Sequence, residues 1–388
     1  MYNILEVPFV LSYFIQGSNE VSGIKRRDLL KPTSVFASSD PNTSAHQAAV
    51  LQFGGQSIAP PETPIKVSGE VFEPKKTSNP LAVKIITFTT VSSNVDESIK
   101  FYRDVIGMRV FSDERLPDGM TTAPGIGNRQ RRHVLLTMPD SPYGQAVRIL
   151  EAPANSAPIR PRPNSGPNDP GLLVMEGGSR DITESYHVVA NAKAPMISSP
   201  RYYYFRNTMW HTDIDVMSYA PFGPGGEQLF ITASIRSDQK LVRSKEIHSG
   251  FGSASITCLD QRPVNKFFEE AFSLQRTSQM ECYQDNVNEL VGAPAGSYFL
   301  WGSVGAGVAL EVWEFKAKSG RVYPCRLDKT GLAMLTFRVN NLSKCRSMCI
   351  DAGIEIVGEG ALPNPENKQP DGFTVRGAVG ELYEVVQA

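Results

Sequence analysis

The same order of elements, one strand, one helix and three strands, can be read four times along residues 81–388. This repetition constrains the fold more than any other feature of the sequence. The first copy begins with "VKIITFTTV", continues as a helix over about 95–106 and closes with "AVRILEA". Apolar residues recur in that helix at three- and four-residue spacing, and Gly107 suits a left-handed helix end. The segment is therefore predicted to be strand, helix and strands in one βαβββ module.

The three later copies have the same order of elements, but the sequence pattern indicates some of them more strongly than others. The second is looser, but Asp181 and Glu184 form a capping box before the helix "ITESYHVVANAKA". The third has the helix "PVNKFFEEAF", in which Pro263 suits the first turn. The fourth has the helix "LSKCRSMCIDAG", which Gly353 closes. Four βαβββ modules are therefore predicted.

A single module is too small to bury its own sheet, so the modules are expected to pair. The predicted fold class is α+β, with four βαβββ modules paired into two cupped mixed sheets. We assign residues 81–240 to the first paired domain and residues 245–388 to the second. Residues 1–80 are predicted to be an irregular N-terminal arm, because the stretch from 32 to about 80 is rich in Pro, Ser and Thr and lacks periodicity.

The N-terminal arm contains "KRRDLLK" at 25–31, which looks like a twin-arginine export signal. The stretch that follows is short and polar, where such a signal has an apolar segment. A decayed signal and a chance match both remain open. The expected location is therefore cytoplasmic, or periplasmic if the signal is functional.

Composition narrows the class of partner. The chain has 388 residues, 41% hydrophobic and 20% charged, with a formal net charge of -1. It has no basic patch for nucleic acid and no apolar run long enough to span a bilayer. Its five cysteines include no CxxC, which disfavours a disulfide framework. The expected partner is a small molecule, and a homodimer is a compatible assembly.

The segment "VSSNVDESIKFYRDVIGMRVF" resembles the opening module of the vicinal oxygen chelate superfamily. That group includes glyoxalase I, extradiol dioxygenases, methylmalonyl-CoA epimerase and the fosfomycin and bleomycin resistance proteins. "GVALEVWEF" and "GAVGELYEVVQ" are similar to strands that close modules in this family. The resemblance covers about 81–388 and implies a shared fold, whereas function varies within the group.

The resemblance also implies a divalent metal such as Fe, Zn, Ni or Mn. His or Gln from the first strand of a module and Glu from its last strand hold that metal. Glu311 and Glu384 stand at the closing-strand Glu position of the third and fourth modules. Ser253 and Met334 stand where the first-strand ligands are expected. Neither Ser nor Met is a ligand of the expected kind.

The first two modules depart further from the family pattern. Arg148 or Ile149 takes the closing-strand position of the first module, and Leu173 and Phe230 are the counterparts in the second. No domain keeps the full ligand set, so we predict that the protein uses no cofactor. The alternative is a divalent metal such as Fe, Zn or Mn with displaced ligands, centred on Glu311 and Glu384.

Acid–base residues could replace the metal. In the strand "WHTDID" the side chains of His211 and Asp213 are two apart and share a face. A carboxylate beside an imidazole orients it for general acid–base catalysis. Arg148 would supply a fixed positive charge for an oxyanion. The alternative for the "WHTDID" strand is that this polar face is exposed to solvent. The alternative for Arg148 is that its side chain lies outside the pocket. His133 is expected at the surface.

A second candidate lies in the second domain, where Glu311 and Glu384 are predicted to face each other. Two buried carboxylates repel, so one should hold a proton near neutral pH. Trp301 and Tyr298 would form an apolar wall of the substrate pocket, or be core residues. The alternative is that the two carboxylates do not form a pair and that each one binds a nearby Arg, Lys or backbone amide.

Three functions follow from these residues. The first is a metal-independent enzyme of the lyase or isomerase type, acting by acid–base chemistry on a small, partly apolar oxygenated compound. The second is a binding protein that sequesters a ligand, as the resistance proteins of this family do. The third is a metal-dependent dioxygenase or epimerase with displaced ligands, for which His211 and His248 are available.

Overall fold

The structure, a computed structural model, describes residues 79–139, 145–161, 165–205, 214–235, 246–282, 284–305, 308–316 and 320–388. All of these ranges belong to one compact unit. None of the helices in them has the length and apolar character that crossing a lipid bilayer requires. The predicted N-terminal arm, residues 1–80, lies almost entirely outside the described residues.

Four modules with the predicted order of elements are present, which confirms the predicted fold class. The first contains β1 (Lys84–Ser92), α1 (Val95–Lys100), β2 (Arg109–Arg115), β3 (Arg132–Thr137) and β4 (Ala146–Glu151). The second contains β5 (Gly171–Ser179), α2 (Ile182–Asn191), β6 (Met196–Phe205), β7 (Ile214–Pro221) and β8 (Gln228–Ser234).

The third module carries one additional helix between its strands. It contains β9 (His248–Cys258), α3 (Gln261–Phe272), β10 (Arg276–Cys282), α4 (Asp285–Val291), β11 (Phe299–Val304) and β12 (Leu310–Phe315). The fourth contains β13 (Gly331–Val339), α5 (Leu342–Asp351), β14 (Ile356–Glu359), β15 (Gly372–Arg376) and β16 (Leu382–Gln387). The sequence pattern does not predict α4.

Local sequence explains where the helices begin and end. Asp181 accepts hydrogen bonds from the N–H groups of Thr183 and Glu184 at the start of α2, as its capping role predicts. α1 continues as one wider π-type turn over Phe101–Val105. Gly107 follows with φ +88°, a left-handed conformation that glycine adopts at low cost.

The modules pair in a different order from the one predicted. Sheet I has the strand order β14-β15-β16-β13-β1-β4-β3-β2, and sheet II has the order β10-β11-β12-β9-β5-β8-β7-β6. The first module thus joins the fourth, and the second joins the third. The prediction that 81–240 and 245–388 form separate paired domains is wrong, because β1 pairs antiparallel with β13 instead of with a strand of the second module.

The two sheets share one core. The largest cluster of buried apolar residues includes side chains from both sheets and from α1, α2, α3 and α5. The Tyr102 hydroxyl on the π-type turn donates a 2.5 Å hydrogen bond to Glu227 Oε1, which joins the first module to the second. A separate cluster covers the opposite face of sheet II and includes α4. That face holds the candidate site.

Candidate functional site

Register identifies equivalent positions in the two sheets. In sheet I the parallel pairs are Thr89 with Arg148 and Thr336 with Glu384. In sheet II the parallel pairs are Glu176 with Phe230 and Ser255 with Glu311. In each sheet these four residues come from the first and last strands of two modules. The last-strand residues Arg148, Phe230, Glu311 and Glu384 are among the metal-ligand positions assigned from the sequence, whereas the first-strand residues differ from those assigned there.

In sheet I, two of these four residues form an ion pair. Arg148 Nη1 lies 3.0 Å from Glu384 Oε2, 3.0 Å from Thr89 Oγ1 and 3.2 Å from Thr336 Oγ1. The side chains of Arg148 and Glu384 are both 0% exposed. The guanidinium therefore occupies the centre of the four-residue cluster and supplies its positive charge.

A backbone segment seals this cluster. Arg148 Nη2 donates to the carbonyl oxygens of Leu362 and Pro363, at 3.2 and 2.9 Å. Leu362 N–H donates to Glu384 Oε1 at 2.7 Å. His133 is also buried, so the expectation that it lies at the surface is wrong. Burial and the charge of Arg148 lower the pKa of His133 to about 3.

Sheet II carries two carboxyl groups instead. Ser255 Oγ is hydrogen-bonded to Glu176 Oε1 and lies 3.4 Å from Glu311 Oε2, so this hydroxyl bridges the pair. The indole N–H groups of Trp301 and Trp313 both donate to Glu311 Oε2, at 2.6 and 3.0 Å. Within the described residues no basic side chain pairs with either carboxyl group.

The carboxyl pair lines a pocket of about 400 Å³ of empty space, counted to its mouth. Apart from the two glutamates, the walls are almost wholly apolar: Tyr203, Phe230, Val287, Phe299, Trp301 and Trp313. Val287 belongs to α4, which Gln284 ties to β6 through a 2.7 Å hydrogen bond to the carbonyl of Tyr204. The additional helix of the third module therefore forms one side of the pocket.

Burial and mutual repulsion set the charge of the pair. Glu176 is 2% exposed and Glu311 is 3% exposed. Burial raises the pKa of Glu311 to about 7, although hydrogen bonds from Trp301, Trp313 and Ser255 oppose this rise. Burial and the charge of Glu311 raise the pKa of Glu176 well above its ordinary value. The two indole N–H donors stabilise the ionised form of Glu311, so Glu311 is the member of the pair that ionises first.

The two oxygens of Glu311 have different hydrogen-bond surroundings. Its Oε2 accepts the two indole N–H groups, whereas its Oε1 is buried and has no hydrogen-bond partner among the described residues. A buried acceptor without a donor is costly, so this oxygen is a site for a proton or a donor from a bound molecule. The pair thus offers one acceptor and one carboxylic acid in an apolar pocket.

The donor set fits a transition metal poorly. Phe230 carries no ligand atom at the fourth position of sheet II, and no imidazole lies at the other three positions. The two indole N–H groups point at Glu311 Oε2, which disfavours a cation on the same oxygen. No group of three His, Cys, Asp or Glu side chains suited to a metal occurs in the ranges that the structure describes.

The structure separates residues that the sequence grouped. Glu311 lies in sheet II and Glu384 in sheet I, so the prediction that they face each other is wrong. Trp301 lines the pocket that contains Glu311, whereas Tyr298 is not among its lining residues. His248 is buried and bonded to Ser185 Oγ at 2.8 Å through Nε2. His211 and Asp213 lie outside the described residues.

Glu176 is the functional candidate that sequence reasoning misses. The family pattern places the first-strand ligand of the second module at Leu173, which is three positions too early. The missed signal is the single carboxylate in "GLLVMEGG", since an isolated charge in a strand buried along its whole length needs a function or a partner. In the third and fourth modules the family pattern points to Ser253 and Met334, which lie two positions before Ser255 and Thr336. A shift of two positions keeps a residue on the same face of its strand, but it changes which residue of the neighbouring strand stands opposite.

Comparisons with known proteins agree with the architecture. Neither the family models nor the curated proteins that were compared give a match to this sequence. Among solved structures, glyoxalase I from Zea mays is similar, with a TM-score of 0.50, 12% identity, and coverage of 79% of this chain and 92% of that chain. A single-residue variant of the same enzyme gives a TM-score of 0.54 at 12% identity, covering 81% and 94%. Likeness at this identity shows the fold alone.

Proposed function

The chain has the vicinal oxygen chelate fold, and from this premise we propose that it is an enzyme that moves a proton without a metal. The reaction class is of the isomerase or lyase type, on a small, partly apolar oxygenated compound. The observation that carries the proposal is the buried pair Glu176 and Glu311, which lines an almost wholly apolar pocket on sheet II. Paired carboxyl groups with raised pKa values are suited to general acid–base catalysis.

The roles follow from the hydrogen bonds. Glu311 Oε1, as the free acceptor, removes a proton from a carbon next to a carbonyl group. The electron pair of the broken C–H bond moves to the carbonyl oxygen, and Glu176, as the carboxylic acid, protonates that oxygen. With a hydroxyketone, the hydroxyl group on the deprotonated carbon then returns a proton to Glu176 as its own C=O bond forms, and the proton on Glu311 goes to the former carbonyl carbon, which gives an isomerase. With a leaving group on the next carbon, the enol returns its O–H proton to Glu176 as a C=C bond forms, and the leaving group departs with the proton from Glu311, which gives a lyase. Ser255 bridges the two carboxyl groups.

A deuterium-exchange experiment tests this proposal before the natural substrate is known. The protein is incubated in D₂O with a panel of small ketones and hydroxyketones, and loss of the proton next to the carbonyl is followed by NMR. We expect Glu311→Gln and Glu176→Gln to lower the exchange rate by roughly two to four orders of magnitude. Dialysis against EDTA should leave the rate unchanged.

Glu289→Gln is the matched control, because Glu289 lies on α4 but is 58% exposed and pairs with Arg201 at the surface. It should exchange at the wild-type rate. Circular dichroism of the variants confirms that they fold. Full activity in Glu311→Gln, or no exchange above buffer for the whole panel with the wild type, contradicts the proposal.

A further inference from the structure

We infer that the pocket of sheet II is a binding site for a small organic monocation, an ammonium group on an apolar body. The inference rests on the carboxyl pair named in the proposed function, but not on catalysis. It concerns the charge of the ligand, which the proton-transfer proposal leaves open.

The first argument is a comparison within the molecule. At the four equivalent positions, sheet I contains one carboxylate, Glu384, and one guanidinium, Arg148, so its buried cluster is neutral. Sheet II contains Glu311 and Glu176 with no internal cation, and Phe230 stands at the position equivalent to Arg148. Once Glu311 ionises, the cluster in sheet II has an uncompensated negative charge. A bound monocation would make it neutral, as Arg148 does in sheet I.

The second argument is the free acceptor. Glu311 is 3% exposed, and its Oε1 has no hydrogen-bond partner in the described part of the chain. An ammonium N–H donor would satisfy it with a charge-assisted hydrogen bond. Glu176 can remain protonated, because one positive charge balances one carboxylate.

The third argument is the chemistry of the walls, which selects among cations. Metal ions require several oxygen or nitrogen ligands, whereas the remaining lining residues offer mainly aromatic rings, among them Phe230, Phe299 and Trp313. Aromatic rings attract ammonium groups through their quadrupole and contact the attached carbon atoms.

Binding of three matched probes tests the inference. Butylammonium, 1-butanol and butyrate share one carbon chain and differ in charge, and Trp301 and Trp313 report occupancy by fluorescence. At pH 8 we expect butylammonium to bind at least tenfold more tightly than 1-butanol, with no detectable binding of butyrate. Its affinity should fall about tenfold per pH unit below the pKa of Glu311, about 7, because a protonated carboxyl group carries no charge. Two other titratable groups line the same pocket and interact electrostatically with Glu311: Glu176 on β5 and Tyr203 on β6.

Three variants distinguish the site from an unspecific effect. Glu311→Gln should weaken butylammonium binding at least tenfold, and Glu289→Gln should not change it. Phe230→Arg places a guanidinium where sheet I has Arg148, so it should abolish binding while circular dichroism shows a folded protein. If Phe230→Arg does not fold, Glu311→Gln still decides the question.

Several outcomes would overturn the inference. Equal affinity for butylammonium and 1-butanol is one, and unchanged binding in Glu311→Gln is another. Stoichiometric binding of Mn²⁺ or Zn²⁺ that displaces butylammonium and depends on Glu311 would identify a metal site instead. The two proposals fail separately: deuterium exchange without binding or inhibition by butylammonium contradicts only this inference, and binding without exchange contradicts only the proposed enzyme.

Discussion

Arg148 shows how one residue changes the chemistry of a fold position. Its guanidinium is within 3.2 Å of Thr89, Thr336 and Glu384, and all four side chains are buried. A buried ion pair costs desolvation of both charges, so its presence alone is weak support for stability. The firm expectation concerns its loss: removing one partner leaves the other charge buried and unpaired.

Arg148→Met should therefore lower the free energy of unfolding by about 3–5 kcal/mol. The double variant Arg148→Met/Glu384→Gln should recover most of that loss, because the Gln oxygen can still accept the hydrogen bond from Leu362 N–H. Urea denaturation of both variants measures the difference. A double variant as unstable as Arg148→Met would show that packing of the guanidinium, and not the orphaned carboxylate, accounts for the loss.

The raised pKa of Glu311 predicts a dependence of stability on pH. Its folded pKa, about 7, lies above its ordinary value of 4.5, so the folded state binds the proton more tightly than the unfolded state. The carboxyl group therefore adds stability below pH 4.5, and this contribution is lost as the pH rises through about 7.

Comparison with Glu311→Gln isolates this contribution from other titrating groups. Relative to the variant, the wild type should gain up to about 1.4 kcal/mol per pH unit as the pH falls from about 7 to 4.5. Urea denaturation at several pH values measures the difference between the two proteins. A difference that is constant between about pH 7 and pH 5 would contradict the pKa of about 7.

At the scale of elements, the segment that follows β14 closes sheet I. Gly360 has φ +74°, and a Cβ atom there would collide with the carbonyl oxygen of Met120. The next residues bring the backbone of Leu362 and Pro363 to Arg148. The close approach at Gly360 therefore positions the carbonyl groups that complete the coordination of the guanidinium.

Gly360→Ala tests this element against a matched glycine. Gly353, at the end of α5, has φ +70°, and a Cβ atom there would have open space within 4 Å. Gly353→Ala should cost about 1 kcal/mol for the left-handed conformation. Gly360→Ala should cost roughly 3 kcal/mol, because the collision adds to the same backbone strain. If urea denaturation shows the same loss of unfolding free energy in both variants, the segment after β14 can move away from Met120 at no cost, which would contradict this prediction.

At the scale of the whole molecule, the topology brings together modules that are far apart in the chain. β1 and β13 form the centre of sheet I although they belong to the first and fourth modules, whereas β5 and β9 form the centre of sheet II from neighbouring modules. Sheet I can therefore form only when both ends of the repeat region are present. Such pairing carries a loop-closure cost that neighbouring modules avoid.

Two fragments make this prediction measurable. Residues 165–320 contain all eight strands of sheet II, and residues 81–240 contain half of each sheet. We expect 165–320 to keep β-sheet circular dichroism and a cooperative, weakened thermal transition. We expect 81–240 to have no cooperative transition. Cooperative unfolding of 81–240 and none of 165–320 would contradict the topology.

The sequence by itself determined the modules, because strand and helix periodicity, the cap at Asp181 and the glycine at Gly107 act over a few residues. It also placed Arg148, Glu311 and Phe230 correctly on the last strands of their modules. Only the tertiary structure decided which modules pair and which first-strand residue faces each last strand. Pairing depends on contacts between distant segments, and a shift of two residues along a strand leaves its pattern of buried side chains unchanged. Glu176 and Glu311 thus became one site through packing that no local pattern encodes.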